Sequence, residues 1–445
     1  MSPEASLQTV GEVADRAGSG AVERFVRQVP VAIVAPVRQR RLAPLRRLLE
    51  RIGEDPAGNS ELPFGRMRGV HFARLVLLEV SRDLDDARIS GQLIYMSDVD
   101  EPLSAHLDDL LHCEVGLDAV FGNCSGYPSR GVTRDARRRW LECHLIQTQA
   151  FYVNTVGRGV LQIQRESLLR SEIEQFLDEH DWEGREPLDV RAAILDRLRR
   201  RPELAWALTP VPGPGSGEVV RNVLAVALPV AGLAAAAPVL VALLPLYAAV
   251  VRWHEAHDYV DTARPTAAQE RLLGELEDYG PQNQFSAIGL VKTGRLRSGT
   301  VAAALRGLDL AARHVFNKGT LTGVKTIHFA HWTRLDQGRR LIFASNYDGT
   351  VKSYNDDFID RVWWGLNLVF SNGFGWPRTR FLIWGGAQNE QPFKNYLRCH
   401  QIPTQVWYSA YPGLTAANIT NNAKVRAGLS GFMNSSEAER WLHLI

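Results

Sequence analysis

The apolar and polar positions of this chain form short blocks that occur twice. Pro30–Val37 and Phe285–Val291 are brief apolar runs, which predict strands. Arg41–Ile52 and Thr300–Phe316 then carry apolar residues at helical spacing. A strand follows in each half, holding His71-Phe72-Ala73 in the first and His328-Phe329-Ala330 in the second. Gly91–Ser97 and Arg340–Ser345 predict the next strands, the second reached through a turn at Asp336-Gln337-Gly338. Helices are predicted over Leu103–Phe121 and Ser353–Phe370, and last strands over Thr148–Val153 and Thr404–Tyr408.

Matching letters at a near-constant offset strengthen this repetition. Val70-His71-Phe72-Ala73-Arg74 matches Ile327-His328-Phe329-Ala330-His331. Cys143-His144, Thr148-Gln149 and Tyr152 match Cys399-His400, Thr404-Gln405 and Tyr408. Asp100 matches Asp348, Asp108-Asp109 matches Asp356-Asp357, and Gly116-Leu117 matches Gly365-Leu366. Each half reads β-α-β-β-α-β, the ferredoxin-like split unit. One face of each sheet is covered by its helices, and the other must be buried against something. The expected fold is therefore α+β: tandem duplicated ferredoxin-like units packed sheet to sheet as an intramolecular dimeric α/β barrel. The expected division is an N-terminal arm (1–28), the first repeat (29–160), a helical linker (161–215), an apolar segment (216–253), a connector (254–282), the second repeat (283–415) and a helical tail (416–445).

The apolar segment breaks the soluble pattern. No charged residue occurs from Asn222 to Val251, and Arg221 and Arg252 bracket the run. It exceeds the ~20 residues that a spanning helix needs. A single crossing would place the two repeats on opposite sides of a membrane. Pro229, Pro238 and Pro245 would kink a straight helix. The expectation is a kinked hairpin or interfacial insertion that returns to the same side, with Tyr247 and Trp253 near its ends as interfacial aromatics. The expected location is the cytoplasmic face of a membrane.

Composition adds bounds. The net charge of +2 argues against a nucleic-acid binder driven by phosphate neutralisation. The four cysteines include no CxxC pair, so a zinc knuckle or redox motif is not expected. Met1 to Gly20 lacks the basic and apolar regions of a secretory signal. CxxCH, Walker, GxSxG and HExxH motifs are all absent.

Candidate chemistry concentrates in the second half. Ser345-Asn346-Tyr347-Asp348-Gly349-Thr350 sits where a strand gives way to a helix. Asp348 either caps that helix or, with Asn346, projects between the sheets, where a carboxylate could do acid–base work. His71 and His328 occupy matching strand positions, suited to a core role or to one central cavity. His331 replaces Arg74, and His314 has no counterpart; either could be an axial ligand for iron or a surface residue. Aromatics including Trp332, Tyr347, Trp363, Trp376 and Trp407 would wall a core or a large flat apolar ligand.

These residues bear a resemblance. A duplicated ferredoxin-like chain with an Asp348-Gly349-Thr350 turn resembles the dimeric α/β-barrel superfamily, which includes the dye-decolorizing peroxidases. Ser345-Asn346-Tyr347-Asp348-Gly349 looks like their GxxDG motif, with Ser345 in place of its first glycine. The resemblance implies haem, with Asp348 as the distal acid, Arg339 or Arg380 stabilising the developing anion, and a histidine holding the iron. His328, His331, His314 and Tyr347 are the candidate cofactor residues, and His331 and His314 the candidate metal ligands. The same letters are also similar to bacterial proteins with no established reaction. The expected function is a membrane-associated, haem-dependent, peroxidase-like oxidoreductase acting on an apolar or lipid-derived substrate. The alternative is a non-catalytic membrane-surface protein that binds a lipid or hydrophobic ligand in its barrel. Expected partners are membrane lipid and a small hydrophobic substrate, with homo-oligomerisation left open.

Overall fold

The computed structural model describes residues 24–128, 133–211, 213–316 and 319–445. Most of the expected N-terminal arm lies outside these residues. The first half contains β1 (Gln28–Pro36), α1 (Leu42–Glu54), β2 (Val70–Leu78), β3 (Gln92–Asp100), α2 (Leu103–His112), α3 (Glu114–Phe121), α4 (Arg134–His144) and β4 (Ala150–Val153). Two helices, α5 (Val160–Asp178) and α6 (Pro187–Arg199), lead to the long helix α7 (Ser216–His257) and the short α8 (Ala267–Gly274). The second half contains β5 (Gln282–Leu290), α9 (Arg295–His314), β6 (Ile327–Leu335), β7 (Arg340–Asp348), α10 (Val351–Asp357), α11 (Trp363–Phe370), α12 (Glu390–His400) and β8 (Val406–Ser409). Helices α13 (Ala416–Ala427) and α14 (Ser435–Leu442) close the chain.

The strands form two four-stranded antiparallel sheets, ordered β1-β3-β2-β8 and β4-β6-β7-β5. Each sheet thus takes its fourth strand from the other half of the chain. The sequence predicts both strands but assigns each to its own half. Apolar patterning decides that a strand exists and which face it buries; it does not choose which free edge the strand joins. At β2 and β6 that edge is filled by the exchanged strand. The Thr-Gln pairs noted in the sequence lock the exchange. Gln149 Oε1 accepts from Arg334 N at 2.5 Å, and Gln405 Oε1 accepts from Leu77 N at 2.7 Å. Just before each exchanged strand the chain also touches its own first strand. Ile146 N donates to Ala32 O, and Ile402 N to Ser286 O, both at 2.9 Å.

Helices cover the outer face of each sheet. Leu45, Leu49, Leu75, Tyr95 and Phe121 are among the residues packed under the first set, and Phe285, Val301, Phe343, Tyr354 and Trp376 under the second. The inner faces share two apolar clusters. One holds Ala32, Val76, Met96, Leu335 and Ile342. The other holds Phe72, Phe151, Phe329, Tyr411 and Ile419. Strands β2 and β6, buried almost throughout, therefore read as apolar on both faces.

The helices refine the sequence expectation. Leu103–Phe121 is two helices that meet at Cys113. Its counterpart contains a π-helical turn, Phe358–Val362, between α10 and α11. Helices α4 and α12 have no counterpart in the expected order, and their last residues are the paired Cys-His motifs. His144 Nδ1 bonds Trp140 O at 2.8 Å and His400 Nδ1 bonds Tyr396 O at 2.9 Å. Each imidazole also stacks on its partner's ring with centroids 3.9 Å apart. These histidines close helix C-termini by satisfying carbonyls there.

The apolar segment differs most from expectation. It is one unbroken helix, α7, with Pro229, Pro238 and Pro245 inside it. A proline removes one helical hydrogen bond, but it does not reverse the chain. The helix runs on through all three prolines, so no hairpin forms. At 1.5 Å per residue the helix is about 63 Å long. None of its most apolar stretch is buried. Both ends return to the folded body. Glu218 pairs with Arg27, with Nε 2.6 Å away. Glu255 binds the segment 379–382.

Candidate functional site

The two histidines at matching strand positions, His71 and His328, have an unexpected backbone origin. In β2 the pairing skips from Val70 to Phe72, and in β6 from Ile327 to Phe329. His71 and His328 are thus the extra residues of two matching β-bulges, which re-aim their side chains. Each reaches the last residue of the neighbouring strand. His71 Nε2 lies 2.9 Å from Asp100 Oδ1, and His328 Nε2 lies 2.6 Å from Asp348 Oδ1. The second carboxylate oxygen is also spent alike. Asp100 Oδ2 accepts from Val160 N at 3.0 Å, and Asp348 Oδ2 from Ala416 N at 2.8 Å. Those amides open α5 and α13, where orphan N–H groups and the helix dipole favour an anion. Asp348 therefore caps α13, distant in sequence, rather than the helix that follows it, the one its capping reading from the sequence expects. Thr350, not Asp348, caps α10, accepting from Ser353 N at 3.2 Å.

A second cluster lies between the sheets. Arg74 extends from the first sheet and donates to Phe285 O at 2.9 Å, Ser286 Oγ at 2.8 Å, Ser345 O at 2.9 Å and Asn346 Oδ1 at 2.6 Å, all in the second. Asp98 answers from the first sheet. Its Oδ1 is 2.5 Å from His331 Nε2, and its Oδ2 accepts from Asn346 Nδ2 at 3.0 Å. Trp407, on an exchanged strand, donates to Asn346 Oδ1 at 3.0 Å. Arg74, Asp98, His331 and Asn346 are all at most 3% exposed. Burial draws the Arg74 guanidinium down to about 10, against the pull of Asp98 that holds its proton on. His331 Nδ1 has no hydrogen-bond partner.

This cluster contains Asn346 and His331 from the sequence candidates and adds Arg74 and Asp98. The signal for the addition was in the repeat: Arg74 stands opposite His331, and Asp98 opposite Asn346. Arg74 and Asp98 of the first half thus bond across to Asn346 and His331, which stand at the matching positions of the second.

The remaining candidates do not join it. Arg339 and Asp348 lie at opposite ends of β7, roughly 30 Å apart at ~3.4 Å per residue. Arg339 instead pairs with Asp83 at 2.6 Å. Arg380 is exposed on a small hairpin, its guanidinium 5.9 Å from the Phe381 ring. The two cannot stabilise an anion formed beside Asp348. Tyr347 points to the helix-covered face, stacked on Tyr354 with centroids 3.9 Å apart. His314 sits at the end of α9 beside Val219, Val223 and Val230 of α7, and partial burial lowers its pKa. His314 and His331 share no site, and no cluster of three or more His, Cys, Asp or Glu suited to a metal occurs among the described residues.

The residues present do not fit a haem. A porphyrin-sized slot would leave accessible surface on its lining, and the side chains between the sheets have almost none. A small apolar cavity of about 40 Å³ lies instead between the second sheet and its helices, lined by Phe285, Phe343, Leu366, Trp376 and Tyr396. That is far below the several hundred Å³, in order of magnitude, that a cofactor site occupies. His331 is committed to Asp98 and His328 to Asp348. The Asp98–His331 pair has the composition of an acid–base dyad, but both residues are buried, each 2% exposed. The arrangement can bind sheet to sheet and helix to sheet.

Compared with known proteins, the chain matches no family model, no curated protein and no solved structure.

Proposed function

We propose that this protein is a membrane-surface scaffold: two tandem ferredoxin-like units, closed by strand exchange into one barrel, bedded on a bilayer by α7. The observation that carries the reading is the exposure of α7. Asn222 to Val251 holds no charge, and Leu224, Leu228, Leu233, Leu240, Leu243, Leu244 and Leu246 are all exposed. A monomer in water rarely leaves so large a continuous apolar surface uncovered. Both helix ends bind one body, so a bilayer between those ends would break one set of contacts. With both ends held by one body, α7 lies lengthwise along the membrane, its apolar surface covered by lipid. The four cysteines, all free thiols, support the cytoplasmic face.

The tandem-unit reading is supported by four devices that occur in both halves: the bulged histidine, the aspartate that caps a later helix, the Thr-Gln lock and the Cys-His helix end. The scaffold holds no ligand in its barrel, because that space is filled by side chains. Fractionation of cells expressing the full chain tests the proposal. The protein should sediment with membranes and resist high salt, and removal of residues 222–251 should release a folded protein. Wild-type protein found monomeric in the soluble fraction without lipid would sink it.

A further inference from the structure

Beside the C-terminal end of α7 lies a small hairpin, in which Thr379 pairs with Gly385 and Arg380 with Trp384. Its turn is built from residues that ordinarily avoid its conformation. Phe381 has φ 56° and Leu382 φ 61°. Bulky side chains are rare in the left-handed region, where glycine or asparagine is expected. The conformation is held from α7. Glu255, 3% exposed, accepts from Phe381 N at 2.9 Å, Leu382 N at 2.8 Å and Thr379 Oγ1 at 2.9 Å.

The held turn buries Leu382 and sends Phe381 outward, 38% exposed, beside Trp384 at 53%. Trp253, at the end of α7, is 60% exposed. Arginines surround these rings. Arg252 lies 5.5 Å and Arg380 5.9 Å from the centre of Phe381, and Arg378, just before the hairpin, is exposed. Exposed tryptophan and phenylalanine among arginines, next to a long uncharged helix, match the composition of a membrane interface. Strain in a turn persists where surrounding structure over-determines it, and such turns cluster at functional contacts.

We infer that the hairpin Thr379–Gly385 is a second membrane contact, which inserts Phe381 and Trp384 at the headgroup level and binds anionic lipid headgroups through Arg378, Arg380 and Arg252. The inference rests on the membrane reading of α7 and adds lipid selectivity to it. Glu255 is the positioning residue, because it couples the turn to the helix. Neutral lipid would satisfy the rings alone; the arginines make the headgroup charge matter.

Flotation of the full chain with vesicles tests this, using neutral phosphatidylcholine and phosphatidylcholine mixed with phosphatidylglycerol. The wild type should float with both and prefer the anionic vesicles. R378Q/R380Q should reduce partition on anionic vesicles by roughly 30-fold, at about one interaction of ~1 kcal/mol per arginine, and leave neutral vesicles unchanged. F381S/W384S should reduce partition on both. Matching thermal melts with wild type show that the variants fold, and F381Y/W384F should restore flotation. If both variant pairs float as wild type does, the hairpin inference falls while the role of α7 stands. If wild type floats with neither vesicle, both fall. If F381S/W384S instead converts a dimer to a monomer with flotation unchanged, the hairpin is a contact between copies, and the inference is overturned.

Discussion

His331 Nε2 and Asp98 Oδ1 are 2.5 Å apart, and they belong to different sheets. With Arg74 and Asn346 they form a buried polar centre between the sheets. Two charged groups in such a place are costly to desolvate, so their mutual pairing is what makes the interface tolerable. Removing one partner does more damage than the pair's net worth would suggest.

Asp98→Ala should therefore destabilise the fold by about 3–5 kcal/mol, because Arg74 stays buried with its counter-charge gone. Urea unfolding of the full chain measures it. Adding Arg74→Met to Asp98→Ala should cost less than the two single losses summed, since no buried charge then remains. Strict additivity would show that the two residues do not share a network.

Asp348 and Asp100 should behave alike. Each is bound to a bulged histidine and to a helix N-terminus. Asp348→Ala and Asp100→Ala should each cost about 1–2 kcal/mol, the scale of a lost helix cap with its dipole contribution. Thermal or urea melts of both variants check this. A loss confined to a catalytic readout in Asp348→Ala, with stability untouched, would return Asp348 to the role of a reactive acid.

Acid sensitivity should come in part from His106. Its ring is buried, with Nε2 2.9 Å from Tyr95 Oη and Nδ1 without a partner. Burial pushes its pKa down from 6.5 to about 4. The unfolded chain takes the proton near 6.5 and the folded chain only near 4. The folded state thus has its full stability above that window and loses it progressively as pH falls through it, by about 3 kcal/mol in total. His106→Gln keeps a polar partner for Tyr95 but does not titrate. Its stability should fall less steeply between those pH values. Equal slopes for wild type and variant would exclude His106 as a source.

Gly116 and Gly365 match in the sequence yet should differ on substitution. A Cβ at Gly116 would overlap the Glu61 carbonyl. At Gly365 it would meet only Val362 Cγ1 at 3.6 Å, an ordinary contact. Gly116→Ala should destabilise by several kcal/mol, on the order of an overpacked core. Gly365→Ala, inside α11, should be neutral or stabilising by up to about 1 kcal/mol. Paired melting curves decide, and similar effects at both sites would contradict these packings.

The sequence by itself marked the strands of both halves and most of the helices between them, but not Arg134–His144 or Glu390–His400. Apolar periodicity and turn residues act over a few neighbours, so they are legible in one dimension. It also marked Asp348 as a cap candidate and Asn346 as facing inward, because alternation along a strand fixes the face. Tertiary structure alone decided the rest. The fourth strands crossed to the opposite sheets because a free edge accepts any strand of suitable pattern. The helix that Asp348 caps begins at Ala416, and the partner of His331 is Asp98 in the other half; neither contact leaves a trace in local spacing. The prolines of α7 read as breaks, yet the helix runs on, because a lost hydrogen bond costs energy without supplying a turn. Its exposed surface was written in the composition, but only the fold ties its two ends to the body, Glu218 to Arg27 at one end and Glu255 to Leu382 at the other.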